Sequence, residues 1–348
     1  MQIIKAGYQL IDEPNITKKI ERIARICYKS EDKIGEGTDL KMIKDLIERK
    51  HTAMLEHGDL AFIVDEETYQ TLWDIKAEIE TMLTSLEEMD TFPQCYLRFT
   101  CSEVSSRCIV SGNIRAWIHV LDYAATTKMS PDEAWFVPRT IHKTIEDLLP
   151  FTKNWYYCEE EYDHCTFVDD YSLLDSEERM IHETMSILFT VDRGVTHELV
   201  RHRPVSFAQE STRYCNYSLG KYGKEITVIE PCFFAKPDTV DLPTEDWAEK
   251  YGAWRAACEA SEQAYFRLMD AKAPAQQARD VLPTSVKAEI VMTTNLREWK
   301  HIFNLRACDA TGPAHPQMKE VMIPAFKEAR TKYPFAYGNM YAADEVHE

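Results

Sequence analysis

The most informative stretch of the sequence is Arg201-His202-Arg203-Pro204-Val205-Ser206-Phe207-Ala208-Gln209-Glu210-Ser211-Thr212-Arg213. It holds three guanidinium groups, one imidazole, two serine hydroxyls and one glutamine amide, in a chain whose formal net charge is -18. Guanidinium groups bind phosphate and carboxylate oxygens in pairs and stay charged at neutral pH. Hydroxyl and amide groups add neutral donors and acceptors. This composition predicts a pocket for small phosphorylated ligands.

Other interpretations of this stretch remain open at this point. Arginine-rich stretches often form solvated surfaces, although the interleaved apolar residues favour partial burial. Ser206 or Ser211 could be a nucleophile with His202 as its base, although no Gly-x-Ser-x-Gly sequence is present. An RNA-binding segment is disfavoured, because nucleic-acid binding depends on a basic surface and this chain is strongly acidic.

A helix is predicted immediately before the basic stretch. Residues 195–200, Val-Thr-His-Glu-Leu-Val, have helical character. The helix must end before Pro204, because a proline disfavours the helical conformation in the residue that precedes it. We therefore expect the basic residues to lie where a helix gives way to an irregular segment.

The overall composition indicates a soluble globular protein. Hydrophobic residues make up 45% of the 348 residues and charged residues 28%, which allows a large core and one to three domains. No run approaches the roughly 18–20 apolar residues of a membrane span, and the first residues lack a signal-peptide pattern. Neither a membrane nor nucleic acid is therefore expected as a partner.

The ten cysteines are scattered and form no Cys-x-x-Cys pair. This pattern predicts free thiols in a reducing cytoplasm rather than a disulfide framework or a zinc ribbon. His51, Glu56 and His57 could be considered as metal ligands, but the spacing of the two histidines does not place them on one helix face. No cysteine pair accompanies them, so no metal site is expected.

Helical and extended patterns follow one another irregularly along the chain. Strands are predicted at residues 2–11, 59–64, 96–101, 186–191, 225–230 and 286–293. Helices are predicted at residues 16–28, 38–50 with Thr38 as the N-cap, 65–89, 114–125, 131–149, 176–185, 195–200, 244–271, 274–281, 296–307 and 315–333, and residues 152–172 are expected to be irregular. Because strands and helices do not alternate strictly, the predicted fold class is α+β or mixed α/β.

One short pattern occurs twice. Asn113-x-Arg115-x-Trp117-x-His119 matches Asn295-x-Arg297-x-Trp299-x-His301, and each copy follows an apolar run and starts a predicted helix. A duplication and two helices with similar starts both explain the match, and the sequence alone does not separate them.

Further arginines lie beside apolar segments in the second half of the chain. They are Arg279, Arg297 and Arg306. Each could form a buried ion pair, with Asp280, Glu298 or Asp309 respectively. Together with the three arginines of the basic stretch they favour an anion-binding site.

The sequence at this point resembles the flavin-dependent thymidylate synthases. The signature is Arg201-His202-Arg203, seven further residues and Ser211, extended as Ser206-Phe207-x-Gln209-x-Ser211-x-Arg213-Tyr214. Supporting segments, in the family order, are His51…Leu55-Glu56-His57, Ala278-Arg279-x-Val281-Leu282-Pro283, Asn295-x-Arg297, Asn304-Leu305-Arg306-Ala307 and Ala314-His315-x-Gln317. The resemblance covers roughly residues 1–64 and 184–335.

The resemblance implies an NADPH-dependent methyltransferase that converts dUMP to dTMP. Methylenetetrahydrofolate would donate the carbon, and FAD reduced by NADPH would carry the hydride. It also implies a protomer with a central sheet flanked by helices, assembled into homotetramers whose active sites are shared between subunits. We expect a single catalytic domain over 1–348, with a discontinuous core at 1–64 and 184–335 and a large insertion at about 65–183 that compact family members lack.

The resemblance also assigns residues. FAD contacts are expected from His51, Ala53, Glu56, Arg201, His202, Arg203, Gln209, Asn295, Arg297 and His301. Contacts with dUMP are expected from Glu198, Arg201, Gln209, Glu210, Ser211, Thr212, Arg213, Arg279 and Arg306, which makes Ser211 a binding hydroxyl and not a nucleophile.

Arg306 is expected to be the catalytic residue, because the family places this arginine beside the uracil, where it stabilises the N3-deprotonated form. A fixed cation there lowers the cost of negative charge on the ring and activates C5. The sequence departs from the family at Ala53, where a Ser or Thr is usual, and at Met54, where a Pro is usual. A degenerate family member is disfavoured because the arginines assigned to dUMP are retained.

Overall fold

The computed structural model describes residues 1–85, 96–102, 107–126, 137–152, 164–213, 215–219, 223–234 and 245–345. Its strands are β1 (Gln2–Ile4), β2 (Gly7–Leu10), β3 (Asp59–Val64), β4 (Leu97–Ser102), β5 (Arg107–Asn113), β6 (Thr166–Phe167), β7 (Thr184–Asp192), β8 (Ser206–Gln209), β9 (Thr227–Ile229) and β10 (Lys287–Asn295). Its α-helices are α1 (Ile16–Tyr28), α2 (Thr38–Glu48), α3 (Glu66–Ser85), α4 (Ile114–Thr126), α5 (Arg139–Leu148), α6 (Ser176–His182), α7 (Arg193–Leu199), α8 (Glu245–Asp270), α9 (Ala275–Ala278), α10 (Leu296–Arg306), α11 (Pro316–Lys332) and α12 (Pro334–Tyr337).

The chain forms two compact units. Unit 1 consists of Met1–Asp12, Ile23–Asp32 and Met185–Glu348, and unit 2 of Glu13–Arg22 and Lys33–Thr184. Unit 2 therefore groups residues 33–64 with the predicted insertion. The expected single catalytic domain stays a prediction.

Unit 1 is built on a four-stranded sheet with the order β2-β7-β10-β8. Strand β2 is antiparallel to β7, and β8 is antiparallel to β10 with Ser206 opposite Thr293. Helix α10 packs its apolar side, which includes Trp299 and Phe303, into the core, where both side chains are fully buried. The Trp299 indole donates to the carbonyl of Met185 on β7 at 2.9 Å, which ties the helix to the sheet.

Unit 2 is built on a second four-stranded sheet, with the order β4-β5-β3-β6. Strand β3 lies between β5 and β6 and is antiparallel to both. The rings of Phe62 and Trp117 meet edge to face in its core, with centroids 5.1 Å apart, and both are fully buried. This geometry is one of the favoured arrangements for aromatic pairs.

The predicted fold class, a mixture of helices and strands, is confirmed. Helix α1 and strand β3 have the predicted bounds. Strands β5, β6 and β8 were not predicted. The segment after Arg203 is therefore not irregular as expected but forms an edge strand, and the stretch 152–172, also expected to be irregular, contains β6. Thr38 is the first residue of α2 and Gly37 occupies the N-cap position, because the Thr38 hydroxyl bonds instead to the Gly35 carbonyl at 2.9 Å. The helix start predicted at 131 lies outside the described residues.

The prediction of free thiols is wrong for one pair of cysteines. Cys101 and Cys108 form a disulfide between β4 and β5. The two residues lie directly opposite each other in the antiparallel register, a relation that their sequence spacing of seven did not reveal. Among the described residues the free cysteines are Cys27, Cys165, Cys215, Cys232, Cys258 and Cys308.

None of the helices in the described ranges combines the length and the apolar character needed to cross a membrane.

A buried histidine in unit 2 gives the stability a predicted pH dependence. His182 is fully buried, and its ring nitrogens lie 2.7 Å from the hydroxyls of Thr100 and Ser111. Burial, followed by the charge of Arg98, lowers the pKa of His182 from 6.5 to about 3. The unfolded chain therefore takes up a proton below pH 6.5 that the folded chain does not take up until about pH 3, so stability falls as the pH falls through this window.

We expect His182 to contribute a loss of about 2 kcal/mol in the free energy of unfolding between pH 7 and pH 5. Urea unfolding of the wild type and of His182→Gln at both pH values measures it. The variant should be less stable at pH 7 but should lose less stability on acidification. An equal loss in both proteins would contradict the buried neutral state of His182.

Candidate active site

Three side chains that the sequence assigned to ligands meet in unit 1. The guanidinium of Arg306, at the end of α10, lies 3.1 Å from a carboxylate oxygen of Glu198 on α7. The Nε of Arg306 donates to Nε2 of His202 at 3.2 Å. The alternative pairing of Arg306 with Asp309 is not found, because Asp309 pairs with Lys319. The cation is thus fixed from two sides, with its side chain 23% exposed.

The imidazole of His202 is held in its neutral form. Burial, and then the charges of Arg306 and His301, lower the pKa of His202 to about 4. Because Nε2 accepts from Arg306, the ring proton of neutral His202 is on Nδ1. A neutral ring in this position orients the guanidinium without repelling it. It also means that Nε2 is not directed at Ser206 or Ser211 as a base.

The helix that carries Glu198 is fixed at its first turn by a residue that the sequence analysis missed. Asp192, at the end of β7, accepts from the backbone N–H of Val195 at 2.8 Å and from the side-chain amide of Gln317 at 2.6 Å. Asp192 is 5% exposed and Gln317 is 7% exposed. An acidic residue between an apolar strand and a helix is a favoured N-cap, and that signal could have identified it.

The chain segment after His202 is fixed through its backbone. The Thr294 hydroxyl donates to the carbonyl of Pro204 at 2.8 Å. Arg203 donates to the carbonyls of Val200 and His202 at 2.6 and 3.0 Å. These bonds leave the Arg203 side chain on the surface, at the point where β8 begins.

Several predicted ligand groups are exposed basic side chains. Arg201, Arg203, Arg213, Arg279, Arg297 and His301 are all exposed. Within the part of the chain that the structure describes, Arg201 and Arg297 form no ion pair, so the proposed pairing of Arg297 with Glu298 is absent. Arg279 lies 3.9 Å from Asp280, but the two side chains are 42% and 80% exposed, which makes this a weak pair.

Glu210 has a different environment. Its side chain is 1% exposed and its carboxylate lies 2.9 Å from Lys287 and 3.9 Å from Lys29. Glu289 pairs with both lysines as well. Glu210, Lys29 and Lys287 line a cavity of about 580 Å³ whose lining includes Tyr217 but not Arg306. The predicted contact between Glu210 and dUMP therefore has no support in the position of its side chain.

The remaining predicted dUMP contacts lie at the end of β8 and in the residues just after it. Gln209, Ser211 and Thr212 are half-buried. The Ser211 hydroxyl accepts from the backbone N–H of Arg213 at 3.4 Å. Tyr214, the last residue of the signature, lies outside the described residues.

The remaining predicted FAD contacts belong to unit 2. His51 and Ala53 are exposed and Glu56 is half-buried, all in or beside the short 3-10 helix Thr52–His57. Glu56 pairs with Arg115 on α4. His57 is fully buried and is not a surface group.

Asn295 has a structural role within unit 1. Its side-chain oxygen accepts from the backbone N–H of Glu298 at 2.8 Å and so caps α10, the helix that ends at Arg306. This bond leaves room for a ligand contact from the amide nitrogen. The capping role alone, however, is enough to explain why an asparagine stands at this position.

Replacing Asn295 with Ala should lower the free energy of unfolding by about 1 kcal/mol, the usual value of an N-cap. Asn295→Asp should keep nearly all of the stabilisation from the cap, since aspartate is an equally good N-cap residue. Urea unfolding of both variants without added flavin measures the effect. An alanine variant as stable as the wild type would show that the cap contributes nothing.

Known proteins that resemble this chain in sequence include flavin-dependent thymidylate synthases. Residues 166–335 match the protein family described as "Thymidylate synthase complementing protein". The chain is 33% identical over 119 residues to the flavin-dependent thymidylate synthase of Geobacter sulfurreducens, covering 34% of this chain and 45% of that protein. It is 30% identical over 156 residues to that of Corynebacterium aurimucosum, covering 43% and 59%. The chain thus spans about half the length of these curated relatives.

One solved structure is similar over most of its length. A UMP/dUMP methylase, PolB from Streptomyces cacaoi, is covered to 96% by 97% of this chain, with 16% identity and a TM-score of 0.40. At that score the likeness carries no argument.

Proposed function

We propose that the chain is a flavin-dependent thymidylate synthase, which converts dUMP to dTMP by reductive methylation. The observation that carries the proposal is the Arg306 guanidinium held between Glu198 and the neutral His202. A cation fixed in advance of the reaction stabilises developing negative charge without reorganisation. The carbon donor would be methylenetetrahydrofolate and the reductant NADPH.

The exposed cations of unit 1 fit FAD as the cofactor. Arg201, Arg203, Arg297 and His301 offer a set of donors suited to phosphate oxygens, and two of these arginines have no ion pair in the described part of the chain. His51 and Glu56 of unit 2 are proposed as FAD contacts as well, while Ala53 supplies no hydroxyl. When bound, FAD supplies the hydride transfer that no side chain can perform.

The phosphate of dUMP would be bound by the exposed guanidiniums of Arg213 and Arg279 together with the Ser211 hydroxyl. Gln209, at the end of β8, and Thr212, three residues later, would add neutral contacts. Glu210 is assigned no part, because its carboxylate is buried against Lys287.

Arg306 would act on the uracil ring. Its positive charge lowers the free-energy cost of losing the N3 proton, which makes C5 a better nucleophile. Glu198 is then a positioning residue rather than a direct ligand, since its carboxylate already holds the guanidinium. The neutral His202 contributes orientation without adding a second positive charge.

The proposal is tested by assaying purified full-length protein for dTMP with dUMP, methylenetetrahydrofolate, NADPH and FAD. The protein should bind flavin, and dTMP formation should depend on every component. Flavin-loaded protein that forms no dTMP from this mixture would refute the proposed activity.

Replacing Arg306 with Lys should lower turnover by roughly 10²–10³-fold, because the charge is kept but the planar fork that contacts Glu198 and His202 is lost. Arg306→Ala should be more severe. FAD binding should persist, since its proposed contacts are other residues. The measurements are flavin content, melting temperature and the rate of dTMP formation on the same samples.

A matched control is Arg330→Ala. Arg330 is similarly exposed and forms a carboxylate pair, with Glu345, in the same unit. Its loss should lower the melting temperature while turnover per folded molecule stays near the wild-type value. Near-normal turnover in Arg306→Ala would remove the catalytic assignment.

We further propose a homotetramer with shared active sites, acting in the cytoplasm where its nucleotide and folate substrates occur. The expected mass of four chains of 40.4 kDa is about 160 kDa. Light scattering of the active protein measures it. A monomer that turns over would contradict the assembly.

A further inference from the structure

The two units share one sheet architecture. In unit 1 the order is β2-β7-β10-β8 and in unit 2, written from the other edge, it is β6-β3-β5-β4. The outer pairs correspond as well, because β2 and β6 are antiparallel to β7 and β3, and β8 and β4 are antiparallel to β10 and β5. The shared elements also follow one another in the same chain order, β7, α7, β8, β10, α10 and α11 in unit 1 and β3, α3, β4, β5, α4 and α5 in unit 2. The units differ in two ways: unit 1 has β9, α8 and α9 between β8 and β10, and the first strand of each sheet order, β2 or β6, has a different place along the chain.

The corresponding helices start in the same way. Asp192 and Asp65 each follow the strand and each accept from the backbone N–H three residues on, both at 2.8 Å. Asn295 and Asn113 do the same at the second helix, at 2.8 and 2.9 Å. Each pair of corresponding helices therefore begins with the same type of capping residue.

The cores contain corresponding aromatic residues. Phe189 and Trp299 have ring centroids 6.5 Å apart in unit 1, and Phe62 and Trp117 have centroids 5.1 Å apart in unit 2. Each tryptophan indole donates to a strand carbonyl, at 2.9 and 3.4 Å. The strands that carry the phenylalanines read Phe-Thr-Val-Asp at 189–192 and Phe-Ile-Val-Asp at 62–65. The repeated Asn-x-Arg-x-Trp-x-His pattern is therefore part of a repeated core.

The two copies differ at the position of the arginine. Arg297 and His301 are exposed in unit 1. Their counterparts Arg115 and His119 are half-buried in unit 2, and the Arg115 guanidinium pairs with Glu56. The Arg115 and Glu56 side chains are only 21% and 16% exposed, so this pair is better shielded than a surface ion pair.

The same contact is reinforced by the backbone. The N–H of Ile114, the first residue of α4, donates to the carbonyl of Gly58 at 2.8 Å, directly after the segment that carries Glu56. Leu55 and His57 on either side of Glu56 are fully buried. A single 3-10 turn has poor hydrogen-bond geometry of its own, so these contacts with α4 determine its conformation.

We propose that unit 2 is a second, diverged copy of the unit 1 core in which Arg115 holds Glu56, and so positions the segment 51–57, which carries the proposed FAD contacts His51 and Glu56. The inference rests on the proposed function for the identity of the ligand. Arg115 is a positioning residue and touches no substrate.

The test compares three variants of the full-length protein by titration with FAD and by melting temperature. Arg115→Ala should weaken FAD binding by about tenfold, the loss expected for one charged hydrogen bond. Arg115→Lys should bind FAD within about threefold of the wild type, because a cation remains to pair with Glu56. In a Glu56→Gln background the further change to Arg115→Ala should have almost no effect, because the two residues act as one unit.

Arg107→Ala is the matched control. Arg107 lies on β5 in the same unit and pairs with Glu178 at 2.9 Å, with side chains 32% and 5% exposed. It should lower the melting temperature as Arg115→Ala does and leave FAD affinity unchanged. Equal FAD affinity in Arg115→Ala and the wild type, or an equal loss in Arg107→Ala, would overturn the inference.

A second readout does not depend on flavin. Hydrogen exchange of the backbone amides at 52–57 should be faster in Arg115→Ala than in the wild type, and unchanged in Arg107→Ala. If the wild type bound no FAD, the proposed function would fail, and the positioning role of Arg115 would be decided by this exchange alone. Unchanged exchange in Arg115→Ala would overturn it.

Discussion

The candidate active site depends on one guanidinium group and the two side chains that contact it. Arg306 is fixed by the carboxylate of Glu198 and by the lone pair of a histidine that burial keeps neutral. Exchange of any one of these three groups alters the balance of charge, since a protonated His202 would repel the guanidinium. The proposed chemistry requires a fixed cation that can stabilise negative charge on the uracil ring. The Arg306 guanidinium, held between Glu198 and His202, is such a cation.

The rest of unit 1 supports that geometry. Strands β7 and β10 each end in a capping residue, Asp192 and Asn295, which fixes the start of the helices that carry Glu198 and Arg306. Gln317 ties the first of these caps to α11. The same strand, cap and helix arrangement occurs in unit 2, where the groups that would face a ligand are paired within the chain. The same arrangement of strand, cap and helix thus carries exposed basic side chains in unit 1 and an arginine paired with a glutamate in unit 2.

The sequence predicted the elements whose signal is local. Helix α1 and strand β3 were found from their periodicity, and the basic stretch was recognised from its composition and spacing. The edge strand β8 was missed because four residues after a proline carry little periodicity. The pairs Arg306–Glu198, Arg115–Glu56 and Cys101–Cys108 join residues through tertiary contacts or strand register, which spacing along the chain does not encode. Glu210 was assigned to a ligand by its place in the signature, but two lysines from other segments bury it.

The central claim is that Arg306 favours the N3-deprotonated uracil of bound dUMP. The direct measurement is the protonation state of isotopically labelled dUMP by nuclear magnetic resonance, as a function of pH, free and bound to the flavin-loaded protein. The account predicts that the bound uracil loses its N3 proton at least about one pH unit below the free nucleotide, and that Arg306→Ala abolishes this difference. A bound uracil that titrates at the same pH as free dUMP would contradict it.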